Sequence, residues 1–153
     1  MGNRKKVIAI SGSIRESSIN TNILENLASF FTGNIDYPIY DKIGEFPHFN
    51  PDLDNEKGPK GIEEFGQELN EADALIFCTP EYARRRRKAQ ASFLQTLEML
   101  NANVVKDGTL VISSVGTKLN SKGEAIDEDT RLFLELVVES IITEIKKKKA
   151  PLA

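Results

Sequence analysis

The stretch Gly12-Ser13-Ile14-Arg15-Glu16-Ser17-Ser18-Ile19-Asn20 collects anion-binding groups in one short segment. It follows the apolar run Val7-Ile8-Ala9-Ile10 and precedes a helical pattern, which makes it a strand-to-helix turn. Gly12 permits a tight turn, and the hydroxyls of Ser13, Ser17 and Ser18 and the amide of Asn20 can donate hydrogen bonds. Arg15 adds a fixed positive charge, and the next helix aims its amide end at the same point. These residues describe a phosphate site. An ordinary helix cap accounts for Ser18 or Asn20, but not for Ser13 and Arg15 together.

A second cluster, Thr79-Pro80-Glu81-Tyr82, follows the apolar run Ala74-Leu75-Ile76-Phe77-Cys78. Pro80 stiffens the exit, Glu81 offers an acceptor, and Tyr82 supplies a flat face with a polar tip that could lie beside a ring system. Taken alone the tetrapeptide reads as a strand-ending turn. Beside the phosphate motif it reads as a second wall of the same site.

Other chemistries lack their parts. Only Gly12 of a three-glycine dinucleotide fingerprint is present, and no Gly-Lys-Ser/Thr ending marks a Walker loop. His48 is the single histidine, so neither a Ser-His-Asp triad nor a histidine-rich metal site can be assembled, and His48 reads as a loop residue. Asp52, Asp54 and Glu56 lack calcium-loop spacing and read as a solvated acidic loop. Cys78, the one cysteine, lies inside an apolar run and reads as a small buried hydrophobe rather than a nucleophile. No protein group is left to act as acid, base or nucleophile. Any reaction must be carried by a cofactor, and a phosphate-bearing flavin meets the requirement.

The elements that must position these groups alternate. Strands are predicted at 6–11, 35–40, 74–78 and 109–115, with Pro38 favouring an edge position for the second. Helices are predicted at 18–31, 61–71, 88–102 and 127–147. The last is capped by Asp127, and Leu132, Phe133, Leu136, Val137, Ile141 and Ile145 are its expected buried face. Residues 41–60 form a long loop. Such alternation means an α/β sandwich with a mostly parallel sheet, in a single domain over residues 1–153. In that class ligands bind beyond the carboxyl ends of the strands, where both clusters fall.

Composition narrows the class further. A formal charge of −3, from 20 basic and 23 acidic residues, argues against a nucleic-acid partner. A lone cysteine suits a reducing compartment, and neither a readable signal peptide nor a transmembrane run is present. A soluble cytoplasmic protein without a membrane partner is expected. The lysines at 146–149 stand at a helix C-terminus, where positive charge is favourable, and read as a solvated tail.

Gly12-Ser13-x-Arg15-x-x-Ser18-x-Asn20 and Thr79-Pro80-Glu81-Tyr82 together resemble the NAD(P)H-dependent FMN reductase family, which has the flavodoxin-like fold. The similarity runs over residues 6–82, including Pro47-His48-Phe49-Asn50-Pro51-Asp52-Leu53-Asp54, and resumes from about Lys88. The resemblance implies that FMN is the cofactor, with Gly12, Ser13, Arg15, Ser18 and Asn20 around its phosphate. Pro80, Glu81 and Tyr82 would border ribityl and ring. It implies NAD(P)H as electron donor, a small-molecule acceptor such as a free flavin, a quinone, an azo dye or a metal ion, and a homodimer.

The resemblance breaks after Tyr82. Family members continue with Asn-x-Ser-x-Pro-Gly into a helix and a further strand, whereas this chain runs Ala83-Arg84-Arg85-Arg86-Arg87-Lys88. A helix-strand unit, on the order of 30 residues, is missing. The expectation is therefore a three-layer flavodoxin-like sandwich with a four-stranded parallel sheet in the order 2-1-3-4, the last strand filling the vacated place. The arginine run reads as a junction left by deletion, natural or engineered. Its other readings are a site for NADPH phosphates or nucleic acid, or a helix start set against its own dipole. Two functions follow: an FMN reductase-like oxidoreductase, or a non-enzymatic flavodoxin-like scaffold that binds FMN weakly or not at all.

Overall fold

The strand β1 (Lys5–Ser11) is the axis of the sheet in the computed structural model, which describes residues 4–48, 51–53, 61–79, 95 and 102–148. Its apolar run is what a strand covered on both faces requires, and Val7, Ile8 and Ala9 are fully buried. β2 (Ile35–Asp36) and β3 (Ile39–Tyr40) pair with it in parallel, Lys5 facing Ile35 and Ala9 facing Ile39. The offset is the same in both pairs, so the two short strands are one strand interrupted at Pro38. Proline has no N–H to give the ladder, but its carbonyl accepts from the Ala9 N–H at 3.0 Å. β4 (Ala74–Cys78) runs parallel along the other edge of β1, with Val7 facing Ala74 and Ser11 facing Cys78.

The expected four-stranded parallel sheet is present, with β1 bonded to each of the other three strands. Its fourth strand arises from the split at Pro38 and not from residues 109–115. Thr109 and the three residues after it form no regular element, Val111 is 55% exposed, and Val115–Lys118 is a single helical turn. Apolar β-branched residues favour a strand only where a neighbouring strand supplies a ladder, and among the described residues nothing pairs with this segment. β4 also differs from expectation. Its apolar run implies a buried strand, yet only Ile76 is buried, and Leu75 and Phe77 are 37% and 38% exposed.

The chain divides into two compact units, Met1–Thr79 and Pro80–Ala153. In the first, α1 (Ile19–Leu27) buries Ile23, Leu24 and Leu27. The Tyr37 hydroxyl donates to the Leu24 carbonyl at 3.0 Å, tying α1 to the bend between β2 and β3. α2 (Ile62–Glu71) begins at Gly61, whose φ of 89° few other residues adopt. Phe65 and Leu69 pack against Ile8, Ile10 and Tyr40, and the Tyr40, Phe46 and Phe65 rings lie within 4.5 to 6.1 Å of one another. Asp73 sets the register of β4, since its carboxylate accepts the Lys6 N–H at 2.9 Å and pairs with Lys5.

In the second unit a long helix, Glu128–Lys147, is capped as expected: the Asp127 carboxylate accepts the Thr130 N–H at 2.8 Å. That bond holds the Asp127 carboxyl below the usual carboxylate range. Its buried face is Thr130, Leu134, Val137, Val138, Ile141 and Ile145. Leu132, Phe133 and Leu136 instead face outward, 47%, 53% and 51% exposed. The helix has apolar residues on two opposite sides, and periodicity alone favours neither. The predicted helix 88–102 lies almost wholly outside the described residues, as do Arg84, Arg85, Arg86, Arg87 and Lys88.

Candidate functional site

The turn between β1 and α1 is shaped by a close approach of two backbones. The Gly12 N–H donates to the Cys78 carbonyl at 2.8 Å, at the carboxyl end of β4. A Cβ at Gly12 would stand 3.1 Å from that oxygen and 3.3 Å from the Thr79 Cα, so only glycine fits without displacing main chain. The start of the turn is thereby fixed against Thr79, the first residue of the second cluster.

Hydroxyls hold the rest of the loop. Ser11 is buried; its hydroxyl donates to the Ser13 carbonyl at 3.2 Å and accepts from the Thr21 hydroxyl at 3.1 Å. The Ser13 N–H also reaches the Ser11 Oγ, at 3.3 Å, and the Arg15 N–H reaches the Ser13 Oγ at 3.4 Å. Ser18 caps α1, its Oγ accepting the Asn20 N–H at 3.2 Å. No acidic residue stands in the first turn of α1, whose N-terminus carries the positive end of the helix dipole.

Asn20 completes the arrangement. It is only 5% exposed, and among the described residues its carboxamide has no hydrogen-bond partner. Burying an amide without a partner is costly, and a bound acceptor removes that cost. Arg15 is exposed and makes no ion pair among the described residues. A buried amide, a capping serine, a helix N-terminus and a free guanidinium beside one turn suit an anion carrying several acceptor oxygens. A phosphate group fits them.

Five of the predicted site residues, Gly12, Ser13, Arg15, Ser18 and Asn20, therefore lie together on one turn. Pro80, Glu81 and Tyr82 lie outside the described residues. Sequence reasoning missed Ser11 and Thr21, whose hydroxyls brace the loop. Ser11 ends an apolar run and Thr21 opens a helix, and the signal was a hydroxyl at each end of the motif. His48 is exposed in the loop, as expected. Cys78 is partly buried, and desolvation pushes its thiol up to about 11, so it is protonated near neutral pH. Burial is also the main cause that raises the Tyr37 phenol, with Cys78 adding to it.

Residues 5–85 match the family described as NADPH-dependent FMN reductase, a little over half of the chain. The chain belongs to the NADPH-dependent FMN reductase family. One relative in it is an NAD(P)H-dependent FMN reductase of Pseudomonas aeruginosa, 24% identical over 172 aligned positions that take in 89% of this chain and 92% of the relative. A quinone reductase of Pseudomonas putida is 32% identical over 78 residues, 51% of this chain and 41% of that protein. A 2-hydroxy-1,4-benzoquinone reductase of a Burkholderia species is 33% identical over 79 residues, covering 52% and 42% of the two chains. These two matches span less than half of each quinone reductase. Among solved structures, the flavoenzyme NAD(P)H:(acceptor) oxidoreductase FerB from Paracoccus denitrificans superposes with a TM-score of 0.77 at 21% identity, over 94% of this chain and 98% of FerB. The fold is thus flavodoxin-like.

Proposed function

We propose that this protein binds FMN and acts as an NAD(P)H-dependent oxidoreductase delivering electrons to a small-molecule acceptor of the quinone or flavin type. The observation that carries the reading is the buried Asn20 carboxamide, which has no partner among the described residues and belongs to the same turn as Ser13, Arg15 and Ser18. Bound FMN supplies the redox chemistry, taking electrons from NAD(P)H and passing them to the acceptor. The chain's task is to hold it. Arg15 neutralises the phosphate, Asn20 and Ser18 donate to its oxygens, and Gly12 lets the loop close against Cys78 and Thr79. Pro80, Glu81 and Tyr82 are assigned to the ribityl and ring side on the strength of the family resemblance.

The same reading takes residues 1–153 as one functional domain, a homodimer in the cytoplasm with neither a membrane nor a nucleic acid as partner. No helix among the described residues is long and apolar enough to cross a membrane, which supports the part concerning membranes. A lost helix-strand unit is supported by the Pseudomonas aeruginosa alignment. It runs over 172 positions while taking in 89% of a 153-residue chain, so roughly 36 positions are filled by the relative alone.

The test is NAD(P)H oxidation by FMN-loaded protein with a quinone acceptor. Turnover that depends on added FMN supports the reading. A second reading, a flavodoxin-like scaffold without activity, is favoured by the failure of residues 109–115 to join the sheet. It predicts protein that folds but neither retains FMN nor oxidises NAD(P)H.

A further inference from the structure

The hydroxyls around the turn from Gly12 to Asn20 divide into two kinds once each proton is followed to its acceptor. The Ser13 carbonyl can only accept, so the Ser11 hydroxyl proton goes to it, at 3.2 Å. The Ser11 oxygen then offers only lone pairs, which receive the Ser13 N–H at 3.3 Å and the Thr21 hydroxyl at 3.1 Å. One donor and two acceptor sites are the whole capacity of a hydroxyl, so the buried Ser11 is fully used by the chain. Thr21 spends its side-chain proton on Ser11 and has none left for an anion. Ser13 and Ser18 are the opposite case. Their oxygens accept the Arg15 N–H at 3.4 Å and the Asn20 N–H at 3.2 Å, and among the described residues their own protons have no acceptor. Ser18 is only 6% exposed, so its unspent proton calls for a bound acceptor just as the Asn20 carboxamide does.

We propose, on the reading that this turn holds the FMN phosphate, that Ser11 and Thr21 are positioning residues that make it select a phosphomonoester. The relay from the Thr21 hydroxyl through Ser11 to Ser13 holds both the N–H and the carbonyl of Ser13 and touches no ligand atom. Ser11 is the last residue of β1 and Thr21 lies in the first turn of α1, so the relay ties the two ends of the turn together. With the Gly12 N–H held by the Cys78 carbonyl, the main chain at the start of the turn is ordered before a ligand arrives. A loop that is already ordered loses less conformational entropy on binding. The Ser13 and Ser18 protons remain available to phosphate oxygens, because main-chain N–H groups occupy lone pairs of the same hydroxyls. Riboflavin has no phosphate to profit from that order.

The test is fluorescence titration of the full chain with FMN and with riboflavin, for the wild type, Ser11→Ala, Thr21→Val, Thr21→Ser and the double variant Ser11→Ala/Thr21→Val. Circular dichroism and urea unfolding are the folding controls. The wild type is expected to bind FMN more tightly than riboflavin. Ser11→Ala should raise the FMN dissociation constant about tenfold and Thr21→Val about threefold, within the range expected for lost neutral hydrogen bonds, with riboflavin affinity unchanged. The double variant should bind FMN no worse than Ser11→Ala alone, since both substitutions cut one relay. Thr21→Ser keeps the hydroxyl and should match the wild type. If Ser11→Ala does not fold, the two Thr21 variants decide. Equal losses for FMN and riboflavin, or losses that multiply in the double variant, overturn the positioning role. Variants that keep a wild-type preference for FMN overturn it too, while leaving Arg15 and Asn20 as phosphate ligands. A wild type that binds the two flavins equally overturns the phosphate site itself, and the relay with it.

Discussion

Replacing Asn20 by leucine exchanges a carboxamide for an apolar group of the same shape and separates the two sides of the site's energetics. In the free protein the amide is 5% exposed with no partner among the described residues, and such burial costs about 1–3 kcal/mol. Leucine removes that cost, keeps the main-chain N–H that Ser18 accepts, and has the higher helix propensity by a few tenths of a kcal/mol. Asn20→Leu is therefore expected to stabilise the FMN-free protein by roughly 1–3 kcal/mol in urea unfolding. It should also remove a hydrogen bond to a charged phosphate, about 1.5–3 kcal/mol, which raises the FMN dissociation constant between about tenfold and 150-fold. Flavin fluorescence titration reads the second effect. The opposite signs are the signature. A variant that is less stable without FMN and binds FMN as well as the wild type would refute the assignment of Asn20 to the ligand.

Three further outcomes are expected. Arg15→Ala should weaken FMN binding by about 1.5–3 kcal/mol through loss of a charge-assisted contact. Riboflavin, which lacks the phosphate, should bind the variant and the wild type alike, and equal losses for both ligands would contradict the placement of the charge. Gly12→Val should destabilise the fold by about 1–3 kcal/mol in urea, because the new atoms meet the Cys78 carbonyl and Thr79 main chain and neither can swing aside. For Cys78, the folded state holds the thiol proton more tightly than the unfolded chain, so its effect on stability is absent below pH 9 and unfavourable as pH rises from 9.0 through about 11. Native protein at about pH 8 should accordingly react with iodoacetamide far more slowly than protein in denaturant, and equal rates would contradict the burial.

The strand-to-helix turn proposed to hold the phosphate is legible because its residues are local. Gly12, Ser13, Arg15, Ser18 and Asn20 are close in sequence, and a strand before and a helix after them leave one geometry. Hydrogen bonding to Ser11 and Thr21 was not legible, since a hydroxyl at a strand end carries no pattern of its own. β1 and β4 were found from their apolar runs, and Pro38 was rightly read as an edge signal, although its splitting of the strand into β2 and β3 depends on the ladder to β1. Residues 109–115 show the limit of such reading: their side chains favour a strand, but a strand forms only beside another. The long helix shows a second limit. Leu132, Phe133 and Leu136 satisfy helical spacing as well as Leu134, Val138 and Ile141 do, and only packing chooses between the faces.

The central claim is that the turn from Gly12 to Asn20 holds the phosphate of FMN, and its most direct test is the visible absorption of purified protein incubated with FMN and then freed of unbound flavin. The account predicts yellow protein with one FMN per chain and much weaker retention of riboflavin. Colourless protein, or equal retention of the two flavins, would contradict it.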